Sequence, residues 1–142
     1  MATFDIPDES IDAWIQELKT YQRSTLNTFL SNRSPEEAAE LWLTTIGSRN
    51  IAGFGGSVVP DGKPFWEKFK AECRRFICDD NAYVADKDAF RHEVPVSKDL
   101  IISVMSSAIG SHLGTAGTLI APAVTLILFT VGRLGRSAYC AT

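Results

Sequence analysis

The sequence predicts an all-α fold, a compact bundle of about five or six helices packed around a hydrophobic C-terminal helix or helical hairpin. Three observations carry that expectation. Apolar residues before position 100 recur at helical spacing. Ser, Pro and Glu form helix-start signatures ahead of those runs. From 100 to 132 the chain reads LIISVMSSAIGSHLGTAGTLIAPAVTLILFTVG, without a single Asp, Glu, Lys or Arg. Such a stretch contains Leu126-Ile127-Leu128-Phe129, which covers every side of a helix and leaves no face for water.

In chain order, Pro7 closes a short lead-in. Asp8 and Ser10 offer N-cap oxygens, and Glu9 and Asp12 bring negative charge to the positive end of a helix dipole. Ile11, Trp14, Ile15, Leu18, Tyr21, Leu26, Phe29 and Leu30 then predict one helix over 10–31. Its polar side is mixed in charge, which suits core packing better than a membrane surface. Ser34-Pro35-Glu36-Glu37 starts a second helix, 35–46: Ser34 caps, Pro35 fits the first helical position and Glu37 completes a capping box. Ala38, Leu41, Trp42 and Ile46 form its buried side, Gly47 ends it, and the short link before it favours an antiparallel pair.

Five glycines and two prolines make 47–64 a loop, with Pro60 placed for a turn. Residues 64–92 are amphipathic. Pro64 opens a helix to about Asp79, with Phe65, Trp66, Phe69, Cys73, Phe76 and Ile77 on one face. A shorter helix over 81–91 packs Tyr83, Val84, Ala89 and Phe90. Pro95 breaks the chain and Ser97 caps the hydrophobic helices of 97–139, one running to about Leu113 and the other from about Gly117 to Tyr139. No domain boundary is placed at Pro95, because the amphipathic helices before it need an apolar partner. The reading is one helical domain, 1–142.

Charge is uneven: residues 1–99 hold 12 Lys/Arg against 17 Asp/Glu, and the remainder holds only Arg133 and Arg136. The net charge of −3 gives no electrostatic footprint for nucleic acid. Three cysteines, Cys73, Cys78 and Cys140, do not complete a disulfide framework, and read as free thiols of a reducing compartment. The opening MATFDIPDES lacks the basic and apolar regions of a secretory signal, so a cytoplasmic location is expected.

Chemical motifs are sparse. The stretch 56–64 has a phosphate loop's flavour, but five residues separate Gly56 from Gly62 where the motif needs four, and Pro64 replaces its hydroxyl residue. His92 and His112 give no zinc spacing with the cysteines. Arg91-His92-Glu93 reads as a solvated turn rather than an acid–base pair, and His112 as a helix-end residue bonding free carbonyls. Lys68 and Glu72 are spaced to pair on a wet helix face. No catalytic residue, metal ligand or cofactor is therefore predicted.

Two sets of candidate residues remain. Phe54, Gly55 and Gly56 form a candidate interaction loop, an aromatic ring between glycines. Gly110, Gly114, Gly117, Thr118 and Thr125 form a small-residue set for close helix packing. The expected function is a non-enzymatic protein-interaction or adaptor module that binds a protein partner or copies of itself. The alternative is a membrane-associated protein or effector in which 113–132, 20 uncharged residues, spans the bilayer, with Arg133 and Arg136 at its cytoplasmic end.

Overall fold

A computed structural model describes residues 6–47, 63–92 and 96–141. These residues are helical, with no strand among them. The elements are α1 (Ile11–Ile15), α2 (Thr20–Leu30) and α3 (Pro35–Leu41), which runs on into a π-helical turn (Trp42–Gly47). Then come α4 (Lys63–Cys78), α5 (Val84–Lys87) with a 3-10 turn (Asp88–His92), α6 (Lys98–Leu113), α7 (Gly117–Leu134) and α8 (Arg136–Ala141).

The hydrophobic stretch forms the antiparallel hairpin α6–α7, and α7 is the axis of the bundle, lying against α6, α3 and α1. Ile120, Val124, Leu126, Leu128 and Val131 of α7 share one core with Trp14, Leu43, Trp66, Phe69, Phe76, Ile101, Met105 and Ile109. The three tryptophans are interior, as their place on the helical stripes predicts.

Pro122 sits inside α7 and is buried. Proline has no N–H, so the carbonyl four residues back, that of Thr118, loses its helical donor. A buried carbonyl without a partner costs on the order of 1–3 kcal/mol. Here the side-chain amide of Gln22 donates to the Thr118 carbonyl at 3.0 Å. One residue further on, the Trp42 indole N–H donates to the Leu119 carbonyl at 2.7 Å. Gln22, 2% exposed, is thus a polar residue buried for a reason.

This contact accounts for a departure from the sequence reading. The expected single helix 10–31 is two helices, interrupted at 16–19. Lys19 is extended (φ −67°, ψ 153°), and its N–H is taken by the Gln22 side-chain oxygen at 3.3 Å. Gln22 therefore opens α2 and closes the proline gap of α7 at once. The C-terminal helix is likewise broken: Gly135 (φ +98°) ends α7, and α8 starts at the next residue. Elsewhere the start signals act as read. Ala13 N–H donates to Ser10 Oγ and Leu100 N–H to Ser97 Oγ. Ser34 and Glu37 form the reciprocal capping box, and the Ser34 backbone N–H holds the Glu37 carboxyl below its usual range.

The cysteine reading needs correction. Cys78 and Cys140, 62 residues apart, form a disulfide, while Cys73 alone stays a thiol, fully buried. An odd count excludes a complete framework but not one bridge, and no spacing rule connects the ends of two separate helices. In the chain-entropy account, closing a loop of that length removes about 4 kcal/mol of unfolded-state freedom.

The glycines of the hairpin act in different ways. A Cβ on Gly110 would stand 2.8 Å from the Thr115 carbonyl oxygen, and one on Gly117 would stand 3.0 Å from the Ser106 backbone. Main chain meets main chain at this crossing. Gly114 has open space around it but a φ of +80°. It closes α6 by a Schellman motif, with Thr115 N–H to Gly110 O at 2.8 Å and Gly114 N–H to Ser111 O at 3.4 Å. Gly110→Ala is expected to lower stability by about 1–3 kcal/mol through the backbone clash, and Gly114→Ala by about 1–2 kcal/mol through left-handed strain alone. Urea denaturation checks both: a variant as stable as the natural chain would contradict the role given to its glycine.

Candidate functional site

The candidate site is a groove built by the fold-back of α8. Once Gly135 ends α7, Arg136 donates through Nε to the Ile77 carbonyl at 2.8 Å and pairs with Asp80 at 3.3 Å. Arg74 of α4 donates to the Cys140 carbonyl at 3.0 Å, and its guanidinium lies 5.7 Å from the Tyr139 ring centre. With the disulfide, these contacts clamp α8 beside the end of α4. The groove left between α3, α4, α7 and α8 has a volume of about 490 Å³.

Ala71, Ile127, Thr130 and Leu134 give the groove its apolar side, and Glu36, Glu67, Lys70 and Arg74 its charged rim. Leu134 is 53% exposed, one of three large apolar residues in that state among the described residues. Lys70 stands 3.4 Å from Glu67 and 5.2 Å from the Trp66 ring centre. Burial pushes the Tyr139 hydroxyl up to about 12, the Cys73 and Glu36 charges adding to it and Arg74 opposing it. The groove thus offers an apolar floor, carboxylates and cations, and no assembled nucleophile–base pair.

A second cluster gathers on Glu72. Tyr83 donates its hydroxyl to one Glu72 oxygen at 2.5 Å, and Arg75 donates to the same oxygen at 2.9 Å. The His112 Nε2 lies 3.5 Å from the other oxygen. Tyr83 is left-handed (φ 57°), a costly conformation for a bulky residue. Its ring is tilted against Phe76 and edge-on to His112. Burial, then the Glu72 bond, drives its hydroxyl well above the ordinary tyrosine range. The expected Lys68–Glu72 pair is therefore replaced by a clasp joining α4, the segment before α5 and the end of α6. His112, expected to bond carbonyls of its own helix, faces the carboxylate instead. A cleft of about 390 Å³ lined by Phe65, Lys68 and Leu113 adjoins it.

The other candidates fall as follows. Phe54, Gly55 and Gly56, with the rest of 48–62, lie outside the described residues, as do Glu93 and the side chains of Arg91 and His92. Gly110 and Gly117 meet at the hairpin crossing, and Gly114 caps α6. Thr118 is exposed at the start of α7, where its carbonyl and not its side chain makes the helix contact. Thr125 is fully buried and returns its hydroxyl to the Ala121 carbonyl at 2.8 Å. Among the described residues no three His, Cys, Asp or Glu side chains gather as a metal site. The groove residues Leu134 and Tyr139 were not singled out by the sequence, and Lys70 and Arg74 read there only as part of a solvated basic helix face; Gly135 was the signal that α8 turns back. No family model matches the chain, and no curated protein or solved structure matches it.

The raised Tyr139 value sets a pH dependence with a definite sign. Up to the ordinary value of 10.0, folded and unfolded chains both keep the phenol proton, and the contribution is fully present. Above it the unfolded chain loses the proton while folded Tyr139 retains it, so stability falls as pH rises toward about 12. Urea midpoints across that interval should decline less steeply for Tyr139→Phe than for the natural chain; identical slopes would remove Tyr139 from the account.

Proposed function

We propose that this protein works without catalysis, as a helical interaction module that docks through the α4/α7/α8 groove and takes a second copy of the chain there. The carrying observation is the exposed Leu134 at the edge of a groove whose rim holds both signs of charge. Under a two-fold axis such a rim complements itself, because the acids of one copy meet the bases of the other. The intramolecular Lys70–Glu67 pair is an exposed one, so exchanging it across an interface costs little. Burying two copies of Leu134 supplies an apolar centre of the kind that carries interface energy. An overall acidic balance of −3 leaves protein, rather than nucleic acid, as the partner class.

One observation favours a second reading. Gly117–Leu134 is long and apolar enough to cross a membrane, with a mean hydropathy of 1.7, although 56% of that helix is buried in the bundle. In that reading the α6–α7 hairpin leaves its helical jacket for a bilayer.

Sedimentation velocity over a concentration series separates the two. Self-association is expected to appear as a reversible monomer–dimer shift. Leu134→Asp should weaken it on the order of tenfold or more, the worth of about 1.4 kcal/mol. Lys70→Glu should weaken it as well, and the double exchange Lys70→Glu with Glu67→Lys should restore it, since charges of opposite sign meet again. A monomer at every concentration would overturn the first reading. Flotation with lipid vesicles, resistant to carbonate washing, would install the second.

A further inference from the structure

Cys78 is the last residue of α4 and Cys140 lies one residue before the end of α8, their Cα atoms 5.6 Å apart. Both are partly exposed, unlike Cys73, which faces the core from the same helix. Cys78 opens onto a shallow depression of about 660 Å³ that also holds Arg74, Arg75, Asp79 and Asp80. Arg74 and Arg75 lie one turn upstream of Cys78, and Arg136 one turn upstream of Cys140. Asp80 and Glu72 are engaged by Arg136 and Arg75, while Arg74 reaches the Cys140 carbonyl. Partial exposure beside guanidinium groups is the setting in which cysteine sulfur exchanges readily, since nearby cations stabilise a departing thiolate.

We propose that Cys78–Cys140 is a thiol-exchange site, opened by a dithiol protein of the Cys-x-x-Cys class, and that it latches α8 onto α4. A thiolate of the dithiol attacks one sulfur of the bridge. The sulfur–sulfur bond breaks, a mixed disulfide forms, and the other cysteine leaves as a thiolate that takes up a proton. The second thiol of the reductant then attacks the mixed disulfide. Overall two electrons and two protons pass to Cys78 and Cys140, and the reductant becomes a disulfide.

The consequence follows from the length of α8. Six residues are too few to hold a helix alone. Without the bridge, α8 is held by non-covalent contacts, among them the Arg136 bonds, the Arg74 bond to Cys140 and the packing of Tyr139. It loosens, and the groove loses the wall that carries Tyr139, while the α6–α7 core is untouched. The latch goes beyond the reading of the groove as a dimer face and does not depend on what occupies it.

The test uses the full chain, treated with dithiothreitol under native conditions, then alkylated for mass spectrometry and followed by amide hydrogen exchange. Cys78 and Cys140 are expected to label while Cys73 stays protected. Exchange in 136–141 should quicken on the order of tenfold or more, with 120–131 unchanged. A Cys78→Ser, Cys140→Ser chain should show the fast α8 exchange with or without reductant. Should that variant fail to fold, reduction of the natural chain still gives the readout. Labelling of Cys73 together with the other two would make the bridge a structural staple that opens only on unfolding. Opening without faster α8 exchange would remove the latch, and three free thiols in the air-oxidised protein would remove the site.

Discussion

The fold turns on a missing hydrogen. Pro122 cannot donate to the Thr118 carbonyl, and it sits in the helix against which α6, α3 and α1 pack. The gap opens in the first turn of α7, beside the buried Gln22, and a side chain from another helix closes it. Gln22 of α2 answers it with a side-chain donor to Thr118, and Trp42 at the end of α3 adds a second donor to the neighbouring Leu119 carbonyl. Two bonds to adjacent carbonyls fix where α2 and α3 stand along α7. They also explain why the first amphipathic run is broken: a continuous helix over 10–31 would carry Gln22 as one more surface polar residue, whereas the extended Lys19 lets it start a helix and reach inward.

The ends of α7 are held differently. At its start the three residues 114–116 and the main-chain contact of Gly110 with Gly117 tie it to α6. At its end Arg133 reaches Asp8 at 3.1 Å, and Arg136 reaches Asp80 and the Ile77 carbonyl across the bundle. The Arg133 pair is mostly exposed and contributes little to stability. Directional bonds to carbonyls and the covalent bridge place α8 more firmly. Polar contacts therefore set position here, and apolar burial supplies the driving force.

Helical periodicity and capping chemistry were legible because both are local. Ser34 and Glu37 need only each other, and Phe69, Cys73, Phe76 and Ile77 declare one face without reference to a partner. The features that escaped are those decided by distant residues. Nothing around Gln22 announces that a carbonyl about a hundred residues away lacks a donor. Lys68 and Glu72 have the spacing of a helical pair, yet Tyr83, Arg75 and His112 converge on that carboxylate once the chain folds. Cys78 and Cys140 become neighbours only because Gly135 turns α8 back. The groove was illegible for the same reason, being assembled from four helices, none of which reads as a site by itself.

The two side-chain donors at the start of α7 also bear on whether 113–132 belongs to protein or to lipid. Within the hairpin, the main-chain contact of Gly110 with Gly117 and the hydroxyl bonds of Thr125 to Ala121 and Thr130 to Leu126 are internal to α6–α7. They would travel with it into any surroundings. The bonds from Gln22 and Trp42 would not, because their donors belong to helices with polar outer faces. Hydrocarbon supplies no replacement donor, and a proline gap in lipid is tolerated only where neighbouring protein closes it. The cost of taking the hairpin out of the bundle is thus concentrated in the first turns of α7, at Thr118 and Leu119. Its far end is secured by a bridge whose state depends on the redox surroundings. A helix apolar enough for a membrane is in this way tied to a protein core by two hydrogen bonds at one end and a disulfide-anchored clamp at the other.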